Sequence, residues 1–370
     1  MLRPLPVTHV LEAYAAAGSG LWGKERLVQG LMLAQRASGE VDPRLIVFTP
    51  CRLGDEMRAL GFDVTTLESR HRRIPVRALP ALRRALAVAP ASIVHTHGYK
   101  ANIVGRLTRV LRGARMRGLV STCHGWTDET PATRIYNRVD RESAFVSDFT
   151  SVPAQRMVRF FPKRGRVGYV ANGIPDRALA TAEERVTARE RFAFPKDRIV
   201  FGYIGRTTAA KGLPEFLEGA RRCHADPFIW AIAGVGDLEQ TIEAAQLPNV
   251  RFFGYISDSD AYHAAIDVFV QASHFEGLSL SLLEAMRAGL PIVATDVGST
   301  ALAIRDGIDG LIVAPGDVDA MVAALRSLGS DAARARRLGT AARERFGDAF
   351  RSDRQHRAFL DIYRSCDRAS

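Results

Sequence analysis

Short apolar runs alternate with longer amphipathic stretches along almost the whole chain, and this alternation predicts parallel sheets covered by helices. Val7–Leu11 and Arg44–Phe48 read as strands with a helix over about 24–38 between them. Ser92–His97 and Leu119–His124 read as buried strands ending in polar residues, separated by a helix near 100–111, and Thr150–Val152 and Arg166–Val170 continue the series. Asn172-Gly173-Ile174-Pro175 is a turn cluster, and a charged helical stretch runs from it to about 193. A second series starts at Ile199–Ile204 and passes through Phe228–Ala233, Val250–Phe253, Val268–Val270, Ile292–Ala294 and Leu311–Val313 before a helical tail from about 317. A chain of 370 residues is too long for one core. The expectation is an α/β protein of two Rossmann-like, doubly wound domains, over 1–170 and 171–349, with a terminal helix in 350–370.

Ligands of such sheets sit beyond the carboxyl ends of the strands. Glycines and polar residues collect at those positions: Gly18–Gly23, His97-Gly98, His124-Gly125, Gly205-Arg206, Gly234–Gly236 and Glu276-Gly277. The richest stretch is His274–Pro291. Glu276 and Glu284 bracket a Gly/Ser turn and a helix start, Leu280, Leu283 and Met286 mark the apolar side of that helix, and Gly289 and Pro291 end it. Free amides at a helix start favour an anion, so two acids beside them need another task, such as holding sugar hydroxyls. The plainer alternative is a capping box between Ser281 and Glu284. Arg206 and Lys211, on a short loop after a strand, suit a diphosphate: Arg offers a fork and Lys a point charge. His95 and His97 are expected to point to opposite faces of their strand, so the pair is not read as a zinc clamp, and His97 is read as structural or cleft-lining.

In combination these segments resemble the family 4 glycosyltransferases, retaining enzymes of the GT-B fold with a Glu-x7-Glu signature. The resemblance implies two facing domains, the second binding a nucleotide-sugar donor, the first an acceptor, with the last helix crossing back to the first. It implies that Glu276 holds donor-sugar hydroxyls, that the amides around Gly277, Leu278 and Ser279 bind the diphosphate, and that Glu284 binds the ribose. The Gly205-Arg206 to Lys211-Gly212 stretch is similar to the family element that neutralises the leaving diphosphate. His124, in Cys123-His124-Gly125, corresponds to a histidine that reaches the donor sugar; Gly18 and Gly20 fall in a loop approaching the phosphates. Gly234, Gly236 and Tyr255 fall in the two loops framing the base. The family works without a metal, so neither metal nor cofactor is expected, and the mechanism commonly proposed for it is front-face transfer assisted by the leaving phosphate.

The net charge of +11 adds a question of partners. Arginines cluster at 70–73, 83–84 and 106–117 in the first half. No interleaved aromatic platform or zinc-finger spacing supports nucleic acid. Leu79–Leu86 reads either as an amphipathic, arginine-edged face resting on an anionic membrane surface or as a core helix with solvated arginines. The four cysteines, at 51, 123, 223 and 366, are too scattered for a metal or disulfide framework. With no signal-peptide core and no apolar run near the ~20 residues that span a bilayer, the expected location is cytoplasmic, peripheral on the inner membrane face if the basic half engages lipid. The expected acceptor is a glycan, a lipid-linked glycan or a small molecule, in polysaccharide or glycolipid synthesis. The competing readings are a sugar-nucleotide epimerase on the same fold, a sucrose- or trehalose-type transferase, and a non-catalytic binder of nucleotide sugars or polyanions.

Overall fold

The structure is a computed structural model that describes residues 3–13, 21, 23–67, 78–88, 92–111, 116–125 and 130–367, the Ala244 side chain excepted. Gly18, Gly20 and the arginines at 70–73, 112 and 115 lie outside the described residues. The chain divides into two compact units, Met1–Pro175 with Ser352–Ser370, and Asp176–Arg351.

The first unit carries β1 (Leu5–Leu11), β2 (Val41–Val47), β3 (Val64–Thr66), β4 (Ser92–His97), β5 (Met116–Thr122), β6 (Phe149–Val152) and β7 (Val167–Tyr169). They form one sheet in the order β3-β2-β1-β4-β5-β6-β7, every pairing parallel. The second unit carries β8 (Ile199–Ile204), β9 (Phe228–Ala233), β10 (Val250–Phe252), β11 (Val268–Gln271), β12 (Ile292–Thr295) and β13 (Leu311–Val313), in the order β10-β9-β8-β11-β12-β13, again parallel. Strand order reverses between β1 and β4 and between β8 and β11, the switch points where doubly wound sheets bind ligands.

In the first unit two helices matter most for the site. Gly23–Ser38 buries Leu27, Val28, Leu31, Met32 and Gln35, an i, i+4 stripe with one polar member. Ser352–Cys366 buries His356, Phe359, Leu360, Tyr363 and Cys366 at helical spacing and packs on Gly23–Ser38 and β5. The terminal helix is therefore part of the first unit's core, where Phe359, Leu360 and Tyr363 join Val7, Leu31, Ile93 and Val120. The helix Leu79–Val88 sends Leu82 and Leu86 into a neighbouring cluster with Val10, Val94 and Leu119 and leaves Arg83 and Arg84 exposed. Leu82 and Leu86 are thus committed to the protein interior, while Arg83, Arg84 and the terminal Val88 face water. No helix among the described residues is long and apolar enough to cross a membrane.

Two sequence expectations about local structure need correction. The helix after Glu276 spans Leu280–Arg287 and is capped by Ser279, whose side chain accepts from the Leu282 amide. Ser281 and Glu284 lie inside the helix, so the capping box between them does not form. Leu280 is only half-buried, whereas Leu282 through Arg287 are all buried, so the helix is enclosed beyond its first turn instead of presenting one apolar stripe. The second correction concerns His95 and His97. Side chains two apart in a strand share a face, and the two rings lie 4.1 Å apart on the same side of β4.

Candidate active site

The second unit builds its candidate site from loops at the carboxyl ends of β8, β9, β11 and β12. The loop after β8 turns at Gly205 and Arg206, passes a short 3₁₀ turn at Ala209–Lys211 and reaches Gly212 in the left-handed region, φ 70°. A Cβ at Gly212 would lie 1.9 Å from the Ala272 carbonyl oxygen, so the loop presses on the end of β11 where only glycine fits. The His274 amide donates to the Ala210 carbonyl across the same seam at 2.9 Å. The result is an ion pair: Lys211 Nζ lies 2.6 Å from Glu276 Oε1, the same oxygen that accepts from Ser273 Oγ at 2.9 Å. Thr295 Oγ1 donates to the Ser273 carbonyl at 2.6 Å, tying β12 into the arrangement. Gly298 lies against the Glu276 and Gly277 carbonyls, 2.1 and 2.4 Å from where its Cβ would be, and the Ser299 amide donates to the Gly277 carbonyl.

Arg206 is half-buried next to this pair: Tyr203, whose hydroxyl donates to the Arg206 carbonyl at 2.5 Å, feels both the Glu276 and the Arg206 charges. Burial, reinforced by Glu276, pushes the Tyr203 phenol well above its ordinary range, so it stays a neutral donor. Gly234, at φ 140°, brings the loop after β9 onto the Gly205 carbonyl; Gly236 abuts Thr207, and the Gly234 amide donates to the Gly254 carbonyl at 2.7 Å. Tyr255 follows, half exposed. Leu278 and Ser279 are buried at the helix start. Glu284 is buried four residues into the helix and accepts from Ser259 Oγ at 3.4 Å. The unit thus gathers Gly205, Arg206, Lys211, Glu276, Gly277, Leu278 and Ser279 on interlocked loops, with Gly234, Gly236 and Tyr255 on the adjoining ones. A separate cavity of about 850 Å³ in this unit, bordered by Arg177, Arg191, Asp258, Asp260, Arg287 and Arg343, contains none of them. Among its charges, Arg191 pairs with Asp258, both Arg177 and Arg287 with Asp260, and Arg343 with Asp176.

In the first unit His124 lies just past β5 with Nε2 3.3 Å from His97 Nδ1. Burial, aided by the Lys24 charge, lowers its pKa to about 3, so the ring is neutral. His97 Nε2 meets His9 Nδ1 at 2.9 Å, and His9 Nε2 meets Gln35 Oε1 at 2.8 Å. One ring nitrogen from each of His9, His95 and His97 lies within 4.8 Å of the others. The spacing would admit a metal, yet His95 is already engaged at both nitrogens, by the Tyr363 hydroxyl and Thr122 Oγ1 at 2.7 Å each. The cluster is hydrogen-bonded throughout. Sequence reasoning missed Glu12 and Lys24. Lys24 donates to the Glu12 carbonyl at 2.6 Å, and Lys100 pairs with the Glu12 carboxylate at 2.6 Å. The signal was present: a lysine in the first turn of Gly23–Ser38 opposes the helix dipole and so needs a separate reason to be there.

Comparison with known proteins turns on both halves of the chain. The sequence model for glycosyl transferases group 1 matches residues 184–345, and that for a glycosyl transferase 4-like domain matches residues 23–173. The chain belongs to the glycosyl transferases group 1 family. Among relatives of this group 1 glycosyltransferase, an Escherichia coli UDP-Gal:alpha-D-GlcNAc-diphosphoundecaprenol alpha-1,3-galactosyltransferase is 24% identical over 68% of this chain and 69% of its own. The alpha-maltose-1-phosphate synthase of Mycolicibacterium smegmatis is 28% identical over 74% of this chain and 79% of its own. Among solved structures, Anabaena HepE in complex with UDP-glucose superposes with a TM-score of 0.83 at 15% identity, covering 98% of this chain and 100% of that one. That likeness establishes the GT-B fold of the group 1 enzyme.

Proposed function

We propose that this glycosyltransferase moves a sugar, with retention and without a metal, from a nucleoside diphosphate sugar to an acceptor hydroxyl. The observation that carries the reading is the Lys211–Glu276 pair held on interlocked loops at a helix start. Lys211 and Arg206 supply fixed positive charge where a leaving diphosphate gains negative charge, the task a divalent cation performs in other enzymes. The amides around Gly277, Leu278 and Ser279 add the helix-start dipole. Glu276, with one oxygen held by Lys211 and Ser273, keeps acceptor capacity on the other for donor-sugar hydroxyls. Glu284 takes the ribose; Gly205, Gly234, Gly236 and Tyr255 border the base; His124 serves a sugar hydroxyl. A retaining transfer on this set needs no second carboxylate nucleophile, since the departing phosphate oxygen can take the acceptor proton.

A relative named for a diphosphoundecaprenol-linked sugar supports a glycan or lipid-linked acceptor in cell-surface glycan synthesis. Attachment to anionic lipid through Leu79–Val88 would be electrostatic, carried by Arg83 and Arg84. The test is a screen of UDP-, GDP-, ADP- and TDP-sugars in EDTA, by thermal shift and slow donor hydrolysis, on the native chain and Glu276→Ala. One donor should stabilise the protein and be hydrolysed, and the variant should lose hydrolysis by about 10²–10³-fold. Binding with no hydrolysis under any condition would instead favour a non-catalytic nucleotide-sugar binder.

A further inference from the structure

The histidines of the first unit form a chain with a direction. Gln35 stands at its head. Its amide nitrogen donates to the Tyr363 hydroxyl at 3.2 Å, and its oxygen lies 2.8 Å from His9 Nε2. His9 therefore carries its proton on Nε2 and presents a bare Nδ1. His97 must donate from Nε2 to that nitrogen, leaving its own Nδ1 bare, and His124 must donate from Nε2 to His97. With the Gln35 oxygen on His9 Nε2, the proton count for three neutral rings closes with the free lone pair at His124 Nδ1. That atom is buried and has no partner among the described residues. A second branch follows the same rule: the Tyr363 hydroxyl donates to His95 Nδ1, His95 Nε2 donates to Thr122 Oγ1, and Thr122 meets Ser151 Oγ at 2.6 Å. One carboxamide thus polarises both branches.

We propose that Gln35 acts through His9 and His97 as a positioning residue that fixes the His124 tautomer, leaving His124 Nδ1 as an acceptor for a sugar hydroxyl and hostile to a carboxylate. A hydroxyl can donate to a bare imidazole nitrogen; a carboxylate brings only lone pairs and leaves two acceptors facing each other at a buried atom. The ligand class is a neutral sugar, from the donor or from an acceptor glycan, in preference to its uronic acid counterpart. The inference rests on the glycosyltransferase reading for its ligand but not for its tautomer.

The test uses the full chain with ¹⁵N-labelled histidine, the His124 resonances being assigned by their loss in His124→Ala. Long-range ¹H–¹⁵N correlation should show Nε2 protonated and Nδ1 bare in the native protein. Gln35→Met removes the acceptor for His9 and should send the His124 proton to Nδ1, with Tyr363→Phe, which frees the Gln35 carboxamide to turn, as a second route to the same change. A protonated Nδ1 in the native chain overturns the proposal, and so does a tautomer indifferent to both substitutions. UDP-glucose, UDP-glucuronate, glucose and glucuronate then serve as probes. The neutral member of one pair should shift the Nδ1 resonance at concentrations roughly tenfold lower than its acid, and which pair responds tells donor from acceptor. Equal response to sugar and acid, or no response to any probe, overturns the hydroxyl assignment. Donor hydrolysis, lost in Glu276→Ala, judges the transferase reading separately.

Discussion

The two units share one architecture and treat charge in opposite ways. The second unit keeps Lys211, Arg206 and Glu276 partly open to water on its strand-end loops. The first unit buries its polar groups, neutralising four histidines by desolvation and enclosing an ion pair, Arg106 with Asp140 at 2.8 Å, at 2% and 1% side-chain exposure. A charge that stays near water can be used on a ligand and removed at little cost to folding. A polar group buried in a network is committed to the fold, and what it offers a ligand is a fixed geometry. The contrast predicts that substitutions in the second unit cost activity and those in the first cost stability.

The largest stability loss should come from Asp140→Ala. Burial works against ionisation of both partners, lowering the Arg106 pKa and raising that of Asp140, with their mutual attraction opposing it. Arg106 also donates to Ser147 and Ser143, and Asn102 to Asp140. Removing the carboxylate leaves a buried guanidinium short of its counter-charge, and chemical denaturation should show a loss of about 3–5 kcal/mol. Arg106→Met combined with Asp140→Leu should recover much of that, since the pair's desolvation is removed as well. Equal losses in single and double variants would break the comparison.

The two units also differed in how far the sequence disclosed them. Strand positions came through in both, because buried parallel strands are short apolar runs bounded by turn residues; β4, β8, β9 and β13 match the expected ranges. The second unit's site is local: Arg206, Lys211, Glu276 and the helix start lie on two loops, and spacing within each loop carries the chemistry. The glycine that closes it, Gly298, was invisible because its constraint is the carbonyl it touches and not its neighbours in sequence. The first unit's network joins residues 9, 35, 95, 97, 124 and 363 from four elements and a loop, and only the fold brings them together. Reading the His95–His97 pair as facing opposite ways hid even its one local contact.

Acid should separate the units next. His9 has its pKa lowered from 6.5 to about 4, mainly by burial, with the Gln35 hydrogen bond opposing. Above pH 6.5 it is neutral folded or unfolded, and its contribution is complete. Below 6.5 the unfolded chain binds a proton that the folded one refuses, so stability falls as pH drops toward 4, by about 3 kcal/mol for His9 alone. His95, His97 and His124 act in the same direction. The second unit has a single histidine so shifted among the described residues, His263. Hydrogen exchange at pH 7 and pH 5 should show β1, β4 and β5 losing protection well before β8 and β9; simultaneous loss would mean that the buried histidines do not set the acid limit.

The smallest effect sharpens the comparison most. Lys211 and Glu276 keep 23% and 10% of their side chains exposed, so either partner, left alone, can recover water. Lys211→Ala and Glu276→Ala should each change unfolding free energy by no more than about 1 kcal/mol, as partly exposed pairs do, although Glu276→Ala should lose donor hydrolysis by about 10²–10³-fold. The loop survives because backbone contacts hold it: the His274 amide on Ala210, the Ser299 amide on Gly277, and Gly212 against Ala272. A double-mutant cycle on Lys211 and Glu276, read by urea denaturation, measures the pair directly. A coupling energy of several kcal/mol would make the pair a folding element like Arg106–Asp140, and the division between a unit that spends its charge on ligands and one that spends it on its own core would fail.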